Sequence, residues 1–158
     1  MLCTIARALP PTDVTHASHP GAPLHGAPRP TAAAEAALVC TTREDLRRLR
    51  AVVAARATAA GLPPARARDL VLAAHEVAAN AHLHGGGSAT LTTWTADGCF
   101  LCEVADRGDG IADPQAGTVP PPPTQVGGRG LWLARQLCDQ VQVRTGAGGT
   151  VVRLRLSL

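Results

Sequence analysis

The chain has 158 residues, the size of one ordinary domain, and its 46% apolar content against 17% charged content allows a real core. Aromatic residues make up only 2% (Trp94, Phe100 and Trp132), too few for base-stacking platforms, and a net charge of +3 is too small to imply a polyanionic partner. All 15 basic residues are Arg, which excludes a Lys-based catalyst and the Lys-containing phosphate loop.

Residues 1–31 hold six prolines and no helical period, and read as a disordered tail without packed contacts. Its histidines, His16, His19 and His25, have no frame to converge them and read as solvated coil. Residues 32–158 form the folded domain. Leu38-Val39-Cys40 reads as a short strand. Thr42, with Asp45 three residues on, opens a helix whose Leu46, Leu49, Val52, Val53 and Ala57 share one face. Gly61 ends it, and Pro63-Pro64 suits the first turn of a second helix. That helix buries Leu70, Ala73, Ala74, Val77 and Ala81, and stops at Gly85-Gly86-Gly87.

Ala89 to Thr95 reads as a strand, Asp97-Gly98 as a hairpin turn, and Cys99 to Ala105 as a central strand apolar on both faces. The prolines between Ile111 and Val126 make that stretch a long loop, a form often used as a lid. Gly130 to Cys138 reads as a third helix. Val141–Arg144 and Thr150–Leu156 read as a closing hairpin, with Val152, Leu154 and Leu156 inward and Arg153 and Arg155 outward. Helices confined to one face of a sheet make this an α+β two-layer sandwich.

Five cysteines, an odd number, follow no secretory leader, and no stretch approaches the ~18 apolar residues of a membrane span. A cytoplasmic protein with reduced thiols is the expectation. Cys99 and Cys102 have metal-like spacing but no second pair, and on a strand they point to opposite faces, so they read as buried structural thiols.

Three short elements carry chemistry. Glu76 and Asn80 lie one turn apart on the second helix, with Leu72 and His84 extending the stripe. A carboxylate beside an amide oxygen suits a hard cation such as magnesium, although a solvated helix face carries such pairs too. Asp106-Arg107-Gly108-Asp109-Gly110 follows the buried strand; an acid there can accept a hydrogen bond from an amino group, or simply close a turn. Gly127-Gly128-Arg129-Gly130-Leu131 precedes a helix and offers backbone N–H groups to phosphate, or serves as a hinge.

In this order, E-x-x-x-N on a helix, D-x-G-x-G after a strand and G-x-G-L opening a helix resemble the GHKL ATPase fold, whose sheet is mixed. From Leu46 onward the chain is similar to RsbW-type anti-sigma factor serine/threonine kinases: Glu76 to Ala81 with His84-Gly85 resembles their N-box, and Gly130 to Leu137 the helix after their lid. The resemblance implies ATP and Mg2+ as cofactors. It implies that Asn80 coordinates the magnesium, that Glu76 is the general base, and that Asp106 reads the adenine amino group. It further implies that Gly108 and Gly110 shape the adenine site, that Gly128 and Gly130 contact phosphates, with Leu131 following, and that Pro120 to Pro123 belong to the lid. Val126 stands where some relatives carry an Arg, with Arg129 as the nearest replacement. The implied partners are a sigma factor and a STAS-domain antagonist that is phosphorylated, with a homodimer as the usual assembly and no direct nucleic acid or membrane contact. Two alternatives stay open: an ATP-binding partner module that transfers nothing, and a detached sensor-kinase ATPase domain. The helix from Thr42 to Ala60 contains no His, which disfavours autophosphorylation there.

Overall fold

A computed structural model describes residues 35–113, 116–122 and 128–158. The proline-rich segment 1–31 and the lid positions Pro123, Val126 and Gly127 lie outside the described residues.

Strand β1 (Glu35–Cys40) leads into helix α1 (Arg43–Ala59) through a closed capping box. Thr42 Oγ1 accepts from the Asp45 backbone N–H at 3.1 Å, while Asp45 Oδ2 accepts from the backbone N–H groups of Thr41 and Thr42, each at 3.0 Å. The Thr41 N–H, then the Thr42 hydroxyl, hold the Asp45 carboxyl below its ordinary pKa. Helix α1 buries Leu46, Leu49, Val53 and Ala57, and Gly61 turns the chain with φ +91°. Helix α2 (Pro64–His84) starts on Pro64 and buries Ala67, Leu70, Ala73, Ala74, Val77, Ala78 and Ala81. Its small residues let it lie close to both α1 and α3. Arg66 Nη1 donates to the Leu137 carbonyl at 2.8 Å and its Nη2 pairs with Asp139, fastening the start of α2 to the end of α3.

Strands β2 (Ala89–Ala96) and β3 (Cys99–Ala105) form a hairpin about Asp97 (φ 52°) and Gly98 (φ 68°), the left-handed pair that a tight two-residue turn requires. Helix α3 (Gly130–Leu137) carries the chain across to the edge strand β4 (Gln140–Gly146), and β5 (Gly149–Ser157) returns beside it. The strand order is β1-β2-β3-β5-β4. All three helices pack on one face, over Leu91, Phe100, Cys102, Val104, Val152, Leu154 and Leu156.

The two-layer α+β architecture is therefore as expected, with two corrections. The sheet is not mixed, because every pairing is antiparallel. Strand β4 runs in the same direction as β3, but the closing hairpin inserts β5 between them. Nor is Arg153 a solvent-facing residue: it is only 7% exposed. Its Nε and Nη2 donate to Glu103 Oε2 at 3.1 and 2.9 Å, and its guanidinium carbon lies 5.2 Å from the Trp94 ring centre. Alternation placed it correctly on the outer face; the ion pair and the cation–π contact explain how a charge can be buried there.

Candidate functional site

A cavity of about 580 Å³ opens where the C-terminal end of α2, the end of β3, the following loop and the start of α3 meet. That is within the usual size range of small-molecule sites. Its apolar wall comes from Val77, Ala81, Val104, Ile111, Leu131 and Val152; its polar groups are Asn80, His84, Asp106, Asp113 and Thr150.

Asp106 is the best-defined polar group in it. Its Oδ1 accepts from the Thr150 backbone N–H at 2.9 Å and from the Gly108 N–H at 3.0 Å. Its own N–H donates to the Thr150 carbonyl at 2.9 Å. One carboxylate oxygen is thus locked by the backbone, while Oδ2 has no partner among the described residues and is left for a donor in the cavity. Behind it, Thr145 Oγ1 accepts from the Ile111 N–H at 2.7 Å and lies 3.2 Å from Thr150 Oγ1. This pair anchors the start of the loop to the β4–β5 hairpin.

Two glycine contacts make the geometry possible. A Cβ on Gly108 would lie 2.6 Å from Gly85 Cα, and one on Gly85 would lie 2.5 Å from both Cβ and Cγ of Asp106. The end of α2 therefore touches the turn after β3, backbone against backbone. At the other rim, a Cβ on Gly130 would sit 2.5 Å from Asn80 Nδ2 and 3.3 Å from the Glu76 carbonyl oxygen, so α3 begins directly against α2.

Of the expected site residues, Asn80, Asp106, Gly110, Gly128 and Leu131 line the cavity, as do Pro120, Pro121 and Pro122. Gly108 and Gly130 stand one layer back as packing points. Arg129 is exposed at the N-cap of α3, outside the lining. Glu76 is half-buried one turn before Asn80 and does not line the cavity. Thr145 and Thr150 went unassigned in the sequence. They flank a glycine-rich turn, but only the register Thr145↔Thr150 brings them under Asp106.

Magnesium that retains waters and binds chiefly to phosphate needs only one or two protein ligands. Asn80 fits that demand. Among the described residues no three His, Cys, Asp or Glu side chains gather as a self-sufficient metal site. Cys40, Cys99, Cys102 and Cys138 are buried free thiols. Burial raises the pKa of Cys102 strongly and pushes that of Cys138 up to about 12, so both remain protonated and unreactive at neutral pH. Cys99 and Cys102 face opposite sides of β3, as expected.

The helical layer on an antiparallel sheet thus leaves a cavity between the end of one helix and a glycine-bracketed acid. Residues 39–156 match the family model described as histidine kinase-like ATPase domain, and the chain belongs to that family. Its fold is similar to a structure of the RsbU and RsbW domains of Rv1364c from Mycobacterium tuberculosis. The TM-score is 0.57 at 26% identity, over 78% of this chain and 32% of that one. The fold is also similar to the histidine kinase domain of the EL346 blue-light activated histidine kinase from Erythrobacter litoralis, with TM-score 0.50, 22% identity and 73% and 60% of the two chains covered. A longer structure of that kinase gives TM-score 0.52 at 20% identity, over 73% of this chain and 41% of that one. The chain thus spans about a third of the mycobacterial structure and less than two thirds of the kinase structures. No curated protein matches its sequence. Among the described residues, no helix is long and apolar enough to cross a membrane.

Proposed function

We propose that this chain binds ATP with magnesium and acts as an anti-sigma factor serine/threonine kinase, phosphorylating a STAS-type antagonist in a partner-switching pathway. The observation that carries the ATP site is Asp106: one oxygen held by two backbone N–H groups, the other open to an apolar cavity. Such an acid accepts from an exocyclic amino group and discriminates against a base that presents a carbonyl there. The similarity to a structure containing an RsbW domain supports the anti-sigma reading.

In this reading Asp106 orients the base, and Val104, Val152 and Ile111 exclude water from it. Asn80 holds the magnesium through its amide oxygen. Backbone N–H groups at Gly128 and the start of α3 face the phosphates. When bound, the nucleotide supplies the transferable phosphoryl group. Glu76 accepts the proton of the incoming Ser or Thr hydroxyl, and positioning provides most of the remaining rate. A sigma factor and the antagonist are the protein partners, in the cytoplasm, with a homodimer as the assembly.

A second reading, an ATP-binding partner module without transfer, is favoured by one observation: Glu76 stands outside the cavity wall. Incubation with Mg-ATP and candidate STAS proteins, followed by phosphosite mapping, separates the two. Acid-stable phosphate on Ser or Thr supports the kinase, acid-labile phosphate a histidine route, and retained ATP binding without transfer the module. Glu76→Gln should bind Mg-ATP like the parent yet transfer ~10²–10⁴-fold more slowly. Unchanged transfer removes Glu76 from the mechanism.

A further inference from the structure

The β4–β5 hairpin meets the loop after β3 at two glycines. A Cβ on Gly110 would lie 2.6 Å from the Gly146 carbonyl oxygen and 2.8 Å from Thr145 Oγ1, and one on Gly149 would run into the Asp106 carbonyl oxygen. Thr145 and Thr150 flank the turn that makes these contacts, opposed in register with both side chains on one face. Thr150 is buried and lines the cavity; Thr145 stands behind it, outside the lining. Thr145 Oγ1 accepts from the Ile111 N–H at 2.7 Å and lies 3.2 Å from Thr150 Oγ1. Proton count gives the direction of that second bond. A threonine hydroxyl carries one proton and two acceptor lone pairs. Among the described residues, Thr150 Oγ1 is the one acceptor within reach of the Thr145 proton. If Thr150 donated, Thr145 would accept twice and its own proton would have no acceptor. If Thr145 donates, its hydrogen bonds are complete, and the proton left over is that of Thr150, at the cavity wall.

We infer that Thr145 is a positioning residue for base recognition: its hydroxyl holds the start of the loop at Ile111 and turns the Thr150 hydroxyl proton into the cavity. The cavity then presents a donor, the Thr150 O–H, together with an acceptor, Asp106 Oδ2. The two are tied to each other, because the Thr150 N–H donates to Asp106 Oδ1 at 2.9 Å. A purine with an amino group beside an unprotonated ring nitrogen matches that pair. One with a carbonyl beside a ring N–H opposes it at both points. Ile111 lines the cavity, so the bond to its N–H also sets part of the apolar wall. The role rests on the ATP reading and adds to it a residue one layer behind the cavity wall.

The test is calorimetry with the magnesium complexes of ATP and 1-deaza-ATP. The analogue keeps the amino group but carries C–H in place of the neighbouring ring nitrogen, so it cannot accept from Thr150. The parent should bind ATP roughly tenfold more tightly than the analogue. Thr145→Val keeps the side-chain shape and the strand preference but lacks the hydroxyl. It should bind ATP roughly tenfold more weakly than the parent and lose most of the preference over the analogue. Thr145→Ser should restore both. A parent without preference overturns the inference, as does a Val variant that keeps the parent's preference. A Ser variant no better than Val overturns it too, because packing then accounts for the effect. Equal loss for both nucleotides has the same consequence, since anchoring of the loop alone would suffice. Should Thr145→Val fail to fold, Thr145→Ala takes its place with the same outcomes. A parent that binds neither nucleotide refutes the ATP reading itself, and this role with it; a parent that binds ATP with unaltered Thr145 variants refutes this role alone.

Discussion

The two faces of the sheet solve burial by different physics. The inner face is apolar and closed by helices: Cys102, Leu154 and Leu156 are fully buried against side chains from α1, α2 and α3. The outer face buries a charge pair, Glu103 with Arg153, stacked on Trp94. The candidate cavity lies on the inner face, where Val104 and Val152, near the ends of their strands, form part of its wall. Apolar packing is forgiving of shape and can leave an open end. A buried ion pair must be complete, because either partner alone is an uncompensated charge.

The sharpest way to break this comparison is to remove one charge. Glu103→Ala should destabilise by about 3–5 kcal/mol in urea unfolding, because it removes the carboxylate to which the buried Arg153 Nε and Nη2 donate. Replacing both Glu103 and Arg153 by Leu should recover most of that loss. If the single substitution costs under about 1 kcal/mol, the pair behaves as a surface ion pair. On the inner face, Leu154→Ala should cost about 2–5 kcal/mol through lost burial and a residual cavity, with no single-residue rescue.

At the open end of the inner face, Asp106→Asn tests the ligand role. Asn can keep the two backbone bonds through Oδ1 but offers an N–H in place of Oδ2. Calorimetry should show ATP binding weakened by about 1–3 kcal/mol, and more so than binding of a purine nucleotide lacking the amino group. Equal weakening for both would argue against amino-group recognition.

The smallest effect belongs to the α1 cap, outside both faces. Thr42→Ala should cost about 1 kcal/mol. Asp45 adds a pH signature. Its folded pKa lies below the ordinary 3.8, so the unfolded chain binds more protons in acid. Its stabilisation is present above that ordinary value and is lost as pH falls through the folded one. Acid unfolding of Thr42→Ala should therefore show a smaller contribution from this group, measured by circular dichroism across the acid range.

Much of the molecule was legible because local rules and global packing agree. The Thr42–Asp45 cap, the Asp97-Gly98 turn, the proline start of α2, the glycine stops after α1 and α2 and the largely apolar central strand follow from spacing and backbone chemistry. The order of the Glu76–Asn80, Asp106–Gly110 and Gly128–Leu131 elements carried the family as well. Arg153 shows the limit: alternation gives the side of a strand but not what stands opposite, and Glu103 is 50 residues away in sequence.

The elements, their amphipathic faces and the family were readable from local pattern, because these rest on periods of two and 3.6 residues and on motifs within a few residues of one another. The tertiary structure alone decided the insertion of β5 between β3 and β4, and with it the antiparallel sheet. It also decided the meeting of Gly85 with Gly108, and the placement of Thr150 under Asp106. Each of these is a contact between distant segments. Loop closure and register determine such contacts, and no local pattern encodes them.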